Sequence, residues 1–164
     1  MNQRKLKIAS LLRMRNNRIH FTKEGFEKIQ KEYDEILASR KAAVATLSEA
    51  RAMGDLSENG LYTAAKGRLR GIDSSLRRLK NQIKRAEITT PPKDIVGIGS
   101  KVVVSDGKTE REFTIVGATE ANPGENHISE YSPIGKTLLG KKAGDKAQIQ
   151  TPSGIKIFEV KKIS

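Results

Sequence analysis

From Ala65 to Ala86 the residues Ala65, Leu69, Ile72, Leu76, Leu79, Ile83 and Ala86 alternate steps of four and three without a break. A 3.5-residue period sustained over three heptads is a coiled-coil pattern, because it keeps one narrow apolar seam facing a partner helix. An earlier segment repeats the rhythm with Phe26, Ile29, Tyr33, Ile36, Ala43, Leu47 and Ala50. Arg40 occupies its one polar slot, and Leu37 and Val44 widen the stripe. Thr22 stands where an N-cap would open that first helix. Only the stretch around Met53–Glu58 separates the two helices, and so short a connection folds them back as an antiparallel hairpin. An arm of about 30 residues extends on the order of 45 Å at 1.5 Å per residue. Two helices bury only a seam, so the product is a long probe with a tip.

Thr89, Thr90 and the pair Pro91-Pro92 end the helical pattern, and a different grammar follows. Lys101–Ser105 is a β-branched run, Asp106-Gly107 is a turn signal, and Glu110–Ala118 alternates as a strand does. Asn122–Asn126 reads as a loop, and Ser132–Leu139 as one or two helical turns with Ser132 as cap and Pro133 first. Ala147–Thr151, a Pro-Ser-Gly turn and Ile155–Ile163 form a closing hairpin. The expected organisation is α+β: a flexible basic tail over 1–20, a coiled-coil hairpin over 21–90 with an acidic tip near 53–59, and a small antiparallel β domain with a short helix over 91–164.

The chain has no Cys, and its only His residues are His20 and His127, which excludes a disulfide scaffold, a Cys-ligated zinc site and a His-rich metal site. No stretch reaches the ~18 apolar residues of a membrane span. The net charge of +12 is unevenly spread. Residues 1–20 carry six Lys/Arg and no acid, and residues 66–90 carry eight against Asp73 and Glu87. Such concentration favours a polyanionic partner, nucleic acid or a nucleic-acid machine. The acid-free start resembles an amphipathic targeting segment in its Arg content but has no processing site, which favours a basic tail on a cytoplasmic, prokaryote-like protein. Lys66, Arg70, Arg77, Lys80 and Lys84 run beside the apolar seam, and Arg68, Arg78 and Arg85 broaden the band.

At the tip of this basic arm stand two acids, Asp55 and Glu58. Asp-x-x-Glu is what a helix N-terminus wants, and Ser57 could also serve as the cap. Carboxylates are equally the hard oxygen ligands of Mg²⁺, yet two of them cannot complete an octahedral shell. The chain has no nucleophile–His pair, Gly-rich phosphate loop or convergent carboxylate cluster. Read physically, the arm lends ligands to a metal held by another macromolecule, and a cap and a metal ligand can coexist.

The stretch Gly54-Asp55-Leu56-Ser57-Glu58-Asn59, followed by Tyr62 and Ala65, resembles the tip motif of the bacterial transcript cleavage factors, the GreA/GreB family. A second cluster fits the same family: Tyr131-Ser132-Pro133-Ile134-Gly135-Lys136, then Leu138-Leu139-Gly140-Lys141, Gly144-Asp145 and the turn Thr151-Pro152-Ser153-Gly154. The resemblance spans nearly all of residues 20–164. It implies a C-terminal FKBP-like domain that docks on RNA polymerase through Ser132, Pro133, Gly135, Lys136 and Leu138, and a hairpin that enters the secondary channel. It implies Asp55 and Glu58 as partial ligands of a polymerase-bound Mg²⁺, with Glu58 orienting the attacking water. Ser57, Asn59 and Tyr62 would support the tip, and Arg51, Lys66, Arg68 and Arg70 would face the nascent RNA 3′ end.

The implied protein is an accessory transcription elongation factor, a monomer with no membrane and only weak or indirect contact with DNA. It would stimulate the polymerase's own cleavage of a backtracked transcript. Gly60 and Leu61 stand where the family usually has Ala and an acidic residue, which leaves two carboxylates at the tip. The strong basic band resembles GreB, whereas Pro133–Lys141 resembles GreA. Two other readings remain: a channel-binding inhibitor of the same architecture without cleavage, and a general nucleic-acid-binding coiled-coil protein whose tip acids merely cap.

Overall fold

A computed structural model of the chain describes residues 18–53, 60–151 and 154–164, with the side chains of residues 150 and 151 left aside. The tip motif 54–59, the basic residues before Arg18 and the Pro152-Ser153 turn lie outside the described residues. The chain divides into two compact units. Residues 18–25 group with Ala86–Ser164, and Phe26–Arg85 form the other unit. Five residues expected to open the hairpin, 21–25, therefore group with the C-terminal unit.

The helical unit is built from α1 (Lys23–Ala52) and α2 (Gly60–Arg85). Arg40 Nε donates to Asp73 Oδ1 at 2.7 Å and Arg78 Nη2 to Glu32 Oε1 at 3.3 Å. As residue number falls along α1 it rises along α2, which makes the pair antiparallel. Every residue of the α2 stripe from Ala65 to Ile83 is buried or half-buried. Ala43, Ala50, Ala65, Leu76 and Leu79 are the most enclosed. Leu37 and Val44, expected to widen the α1 stripe, are instead 46% and 40% exposed, because a two-helix seam is too narrow to reach them. Arg40 fits its polar slot by turning outward to Asp73, which raises the guanidinium pKa through that hydrogen bond and the carboxylate charge.

Gly67 and Gly71 lie in the body of α2, and a methyl group at either position would meet no atom within 4 Å. Their replacement by Ala is expected to stabilise the chain by about 1 kcal/mol each, through helix propensity alone. Gly60→Ala should do less, because Gly60 is the first helical residue and tolerates Gly there. Thermal unfolding of the three variants checks the order.

The second unit holds β1 (Ile19–Phe21), β2 (Ala86–Ile88), β3 (Lys101–Ser105), β4 (Glu110–Val116), β5 (His127–Ser129), α3 (Pro133–Leu138), β6 (Lys146–Thr151) and β7 (Gly154–Ile163). β1 and β2 pair in parallel as a two-stranded sheet, with Ile19 opposite Ala86 and Phe21 opposite Ile88. The remaining strands form one sheet in the order β5-β4-β3-β7-β6. It is antiparallel except between β4 and β5, which run parallel with Thr114 opposite His127. The sheet is thus mostly antiparallel, as expected, with one parallel pair at its β5 edge. β1 also brings Ile19 and His20, expected in the tail, into a strand, and β2 takes over at Ala86, the last residue of the predicted helical stripe. The strands β1, β2 and β5 have three residues each, too short for alternation to register in a sequence.

The sheet's buried face carries Val102 and Val104 from β3, Phe113 and Ile115 from β4, Ala147 and Ile149 from β6, and Phe158 and Val160 from β7, closed by Val96 and Leu138. The alternation of Val102 and Val104 with half-exposed Val103 is the period-two pattern of a one-sided sheet. Asp106 makes the turn to β4: its carboxylate accepts the Thr109 and Lys108 amides at 2.8 and 3.0 Å, which holds its pKa below the usual carboxylate range. Among the described residues no helix is long and apolar enough to cross a membrane.

Candidate functional site

The site inferred for the hairpin end is bracketed by the last turn of α1 and the first of α2. Asp55, Ser57, Glu58 and Asn59 lie outside the described residues, between Met53 and Gly60. On the α1 side, Arg51 is exposed in the final turn, where its charge also complements the helix dipole. On the α2 side, Tyr62 is half-buried, and Lys66 Nζ sits 5.8 Å from the centre of its ring. That contact joins positions i and i+4 and orients both side chains, with an attraction of about 0.5–1 kcal/mol at an exposed site. Leu61 and Met53 are 65% and 69% exposed, so the described rim of the tip is apolar as well as charged.

Lys66, Arg68 and Arg70 are not gathered on one face of the helix. At 100° per residue, Lys66 and Arg70 fall on one face together with Arg77, Lys80 and Lys84. Arg68 lies about 200° around from Lys66, on the other flank of the seam. The basic patch is therefore a continuous stripe from Lys66 to Lys84 plus one separate arginine. Gly67, Gly71 and Ser74 line a groove beside the stripe together with Arg70, Asp73 and Arg77.

In the C-terminal unit the residues expected to dock divide into support and surface. Ser132 Oγ donates to Ser129 O at 2.8 Å and accepts the Gly135 amide at 2.9 Å, which is the expected N-cap of α3, with Pro133 in the first position. Leu138 is fully buried in the core, and Gly135 is buried against the backbone of Ser129. Pro133 and Lys136 are the two that reach solvent. Tyr131, just before the cap, is 58% exposed.

Gly135 carries a sharp expectation. A methyl group there would overlap Ser129 O, a backbone atom that cannot swing aside. Gly135→Ala should cost about 1–3 kcal/mol by overpacking, whereas Lys136→Ala, on exposed surface, should stay within about 0.5 kcal/mol. Denaturant titration of both variants separates the two.

Several other ionisable residues are paired locally. His127 Nδ1 lies 3.7 Å from Glu125 Oε2, and Lys161 Nζ reaches Glu159 Oε1 at 2.8 Å, which lowers the Glu159 pKa. Among the described residues no three His, Asp or Glu side chains converge as a self-contained metal site would require. Sequence reasoning also missed two contacts of β1 and the residue after it. His20 Nδ1 is 3.0 Å from both carboxylate oxygens of buried Glu130, and Thr22 bonds to Glu120. Neither partner is near in the chain.

Comparison with known proteins matches both parts of the chain. The family model described as "Transcription elongation factor, N-terminal" matches residues 19–88, and "Transcription elongation factor, GreA/GreB, C-term" matches residues 91–164. The transcription elongation factor GreA of a Nitratiruptor species is 42% identical over 144 residues, covering 85% of this chain and 88% of that protein. GreA of Geobacillus kaustophilus is 42% identical over 150 residues, covering 85% and 94% respectively. Among solved structures, GreA factor homolog 1 (Gfh1) of Thermus thermophilus is 27% identical with a TM-score of 0.43, covering 90% of this chain and 99% of that one.

Proposed function

This chain belongs to the GreA/GreB family of transcription elongation factors, and from that premise we propose that it stimulates transcript cleavage by RNA polymerase. The helical arm enters the polymerase secondary channel, and the C-terminal unit docks through the surface of Tyr131, Pro133 and Lys136. The factor is not itself an enzyme. The observation that carries the reading is the position of Gly54-Asp55-Leu56-Ser57-Glu58-Asn59: the only link between α1 and α2, in the family's motif, at the end of a basic stripe.

Mg²⁺ is the metal this donor set suits. Asp55 and Glu58 offer hard carboxylate oxygens, and their number leaves most of an octahedral shell to polymerase and RNA. Held there, the ion would supply Lewis-acid stabilisation to phosphodiester hydrolysis. The chain's own contribution would be positioning: Asp55 would complete the coordination, Glu58 would orient the water, and Ser57, Asn59 and Tyr62 would support the tip. Lys66 and Arg70, with Arg51 nearby, attract the extruded RNA 3′ end. Arg68, on the other flank of α2, faces a channel wall or a different stretch of RNA. The protein acts as a cytoplasmic monomer, with DNA contacted only indirectly.

Leu61 gives a second reading its footing. It adds an exposed apolar side chain, not a third carboxylate, beside the tip acids. A factor that fills the channel without completing the metal site would slow nucleotide addition and leave transcripts intact. One experiment decides: the full chain is added to backtracked polymerase with radiolabelled RNA and Mg²⁺. Shortened RNA that resumes extension supports cleavage. Unshortened RNA with slowed extension establishes the inhibitor and overturns the proposal. Tight binding to free DNA without any effect on polymerase would support the general nucleic-acid-binding reading.

A further inference from the structure

The loop after β4 sends Glu120 into the start of α1, 98 residues back in the chain. Its Oε2 accepts the Thr22 amide at 3.0 Å and the Gly117 amide at 3.2 Å, while its Oε1 accepts the Thr22 hydroxyl. Thr22 Oγ1 in turn accepts the Gly25 amide at 3.0 Å, so the threonine caps the helix from within and the glutamate holds the cap from outside. Thr22 is 8% exposed, and three donors converge on a single carboxylate.

Two glycines make room for this arrangement. A methyl group at Gly25 would overlap Glu120 Oε1 and the carbon behind it. One at Gly117 would overlap the backbone oxygen of His20 in β1. Gly25 is a poor helix residue in the first turn of a 30-residue helix, and the structure supplies its reason. The glycine admits the glutamate.

We propose that Glu120 is a positioning residue for the tip chemistry: it anchors the first turn of α1, so that the helix leading to Asp55 and Glu58 starts from a held end and not a frayed one. A frayed first turn leaves the start of the helix that leads to the tip unheld. Positional error of about 1 Å at a reacting centre is enough to cost about 100-fold in rate. The role is distinct from docking, because Glu120 is not among the residues of the Tyr131–Lys136 surface. It rests on the cleavage reading for its consequence, though not for its geometry.

The test uses four full-length proteins: wild type, Glu120→Ala, Gly25→Ala and the double variant. Hydrogen exchange at the Thr22 and Gly25 amides reports the anchor, and thermal unfolding confirms that each variant is folded. Glu120→Ala should speed exchange at both amides by about 10-fold, the scale of a lost helix cap. It should lower the transcript-shortening rate at saturating factor by a similar ratio, while the factor concentration for half-maximal effect stays within about twofold. A general loss of structure would move both quantities. Gly25→Ala should behave like Glu120→Ala, because the added methyl expels the carboxylate.

The double variant should be no worse than Glu120→Ala alone, since with the carboxylate gone an alanine at 25 favours the helix. Glu120→Gln keeps one acceptor oxygen and should fall between wild type and Glu120→Ala. Shortening by Glu120→Ala at the wild-type rate would overturn the proposal, as would independent, multiplying penalties in the double variant. Should the wild type not shorten RNA at all, the cleavage reading fails separately. The exchange pattern then decides the anchor by itself, coupling supporting it and independence removing it.

Discussion

Asp55→Asn is expected to lower the rate of transcript shortening by about 100-fold or more, with polymerase affinity unchanged within about twofold. The asparagine keeps the size and one carbonyl oxygen of the aspartate and removes its charge, which is the property a metal ligand contributes. Removal of a single pre-placed electrostatic partner of a transition state costs on the order of 100–1000-fold in other systems. Glu58→Gln should cost a similar factor, but the two should respond differently to Mg²⁺. If Asp55 completes the coordination, raising Mg²⁺ restores part of the loss in Asp55→Asn. If Glu58 orients water, added Mg²⁺ leaves Glu58→Gln where it is. Shortening assays over a Mg²⁺ series read both, and wild-type rates for either variant would remove the metal-lending role.

Leu138→Ala should have the largest effect on stability. Leu138 is fully buried in the C-terminal core and lies two residues beyond exposed Lys136 in α3. Its truncation removes the transfer free energy of the side chain and leaves a cavity in a close-packed interior, at a cost of about 2–5 kcal/mol. For a chain of this size that corresponds to a melting temperature lower by roughly 5–15 °C. The consequence for function is indirect: polymerase binding falls only as the unit unfolds, and returns at lower temperature. Lys136→Ala offers the opposite outcome, with full stability and weaker binding at every temperature. Calorimetry and a binding titration on the two variants distinguish a residue that supports the docking surface from one that forms it.

That contrast marks a limit of sequence reading. Ser132-Pro133-x-Gly135-Lys136-x-Leu138 is visible as a motif, and its cap geometry follows from the residue types. Which of its members face a partner is a different question. Gly135 is required by the backbone of Ser129 and Leu138 by the core, and neither requirement can be seen until the strand and helix are stacked. Arg40 is a similar case in the arm. It reads as a flaw in the apolar stripe, and Asp73 as an isolated acid among bases; the antiparallel register makes them partners. The exposed Leu37 and Val44 show the converse, apolar residues that the stripe suggested and the narrow seam left outside.

The sequence by itself determined the two-helix arm, its reversal between α1 and α2, and the one-sided strands of the β unit. These follow from periodicity along neighbouring residues, and a period of 3.5 or 2 is a local property that survives without knowledge of the fold. Only the tertiary structure decided the parallel pairing of β1 with β2 and of β4 with β5, and the seat of α3. It alone joined Glu120 to Thr22 and Glu130 to His20, across 98 and 110 residues. Such pairings depend on how the chain returns to itself, and a single threonine, glycine or glutamate carries no mark in the sequence of the partner it will meet.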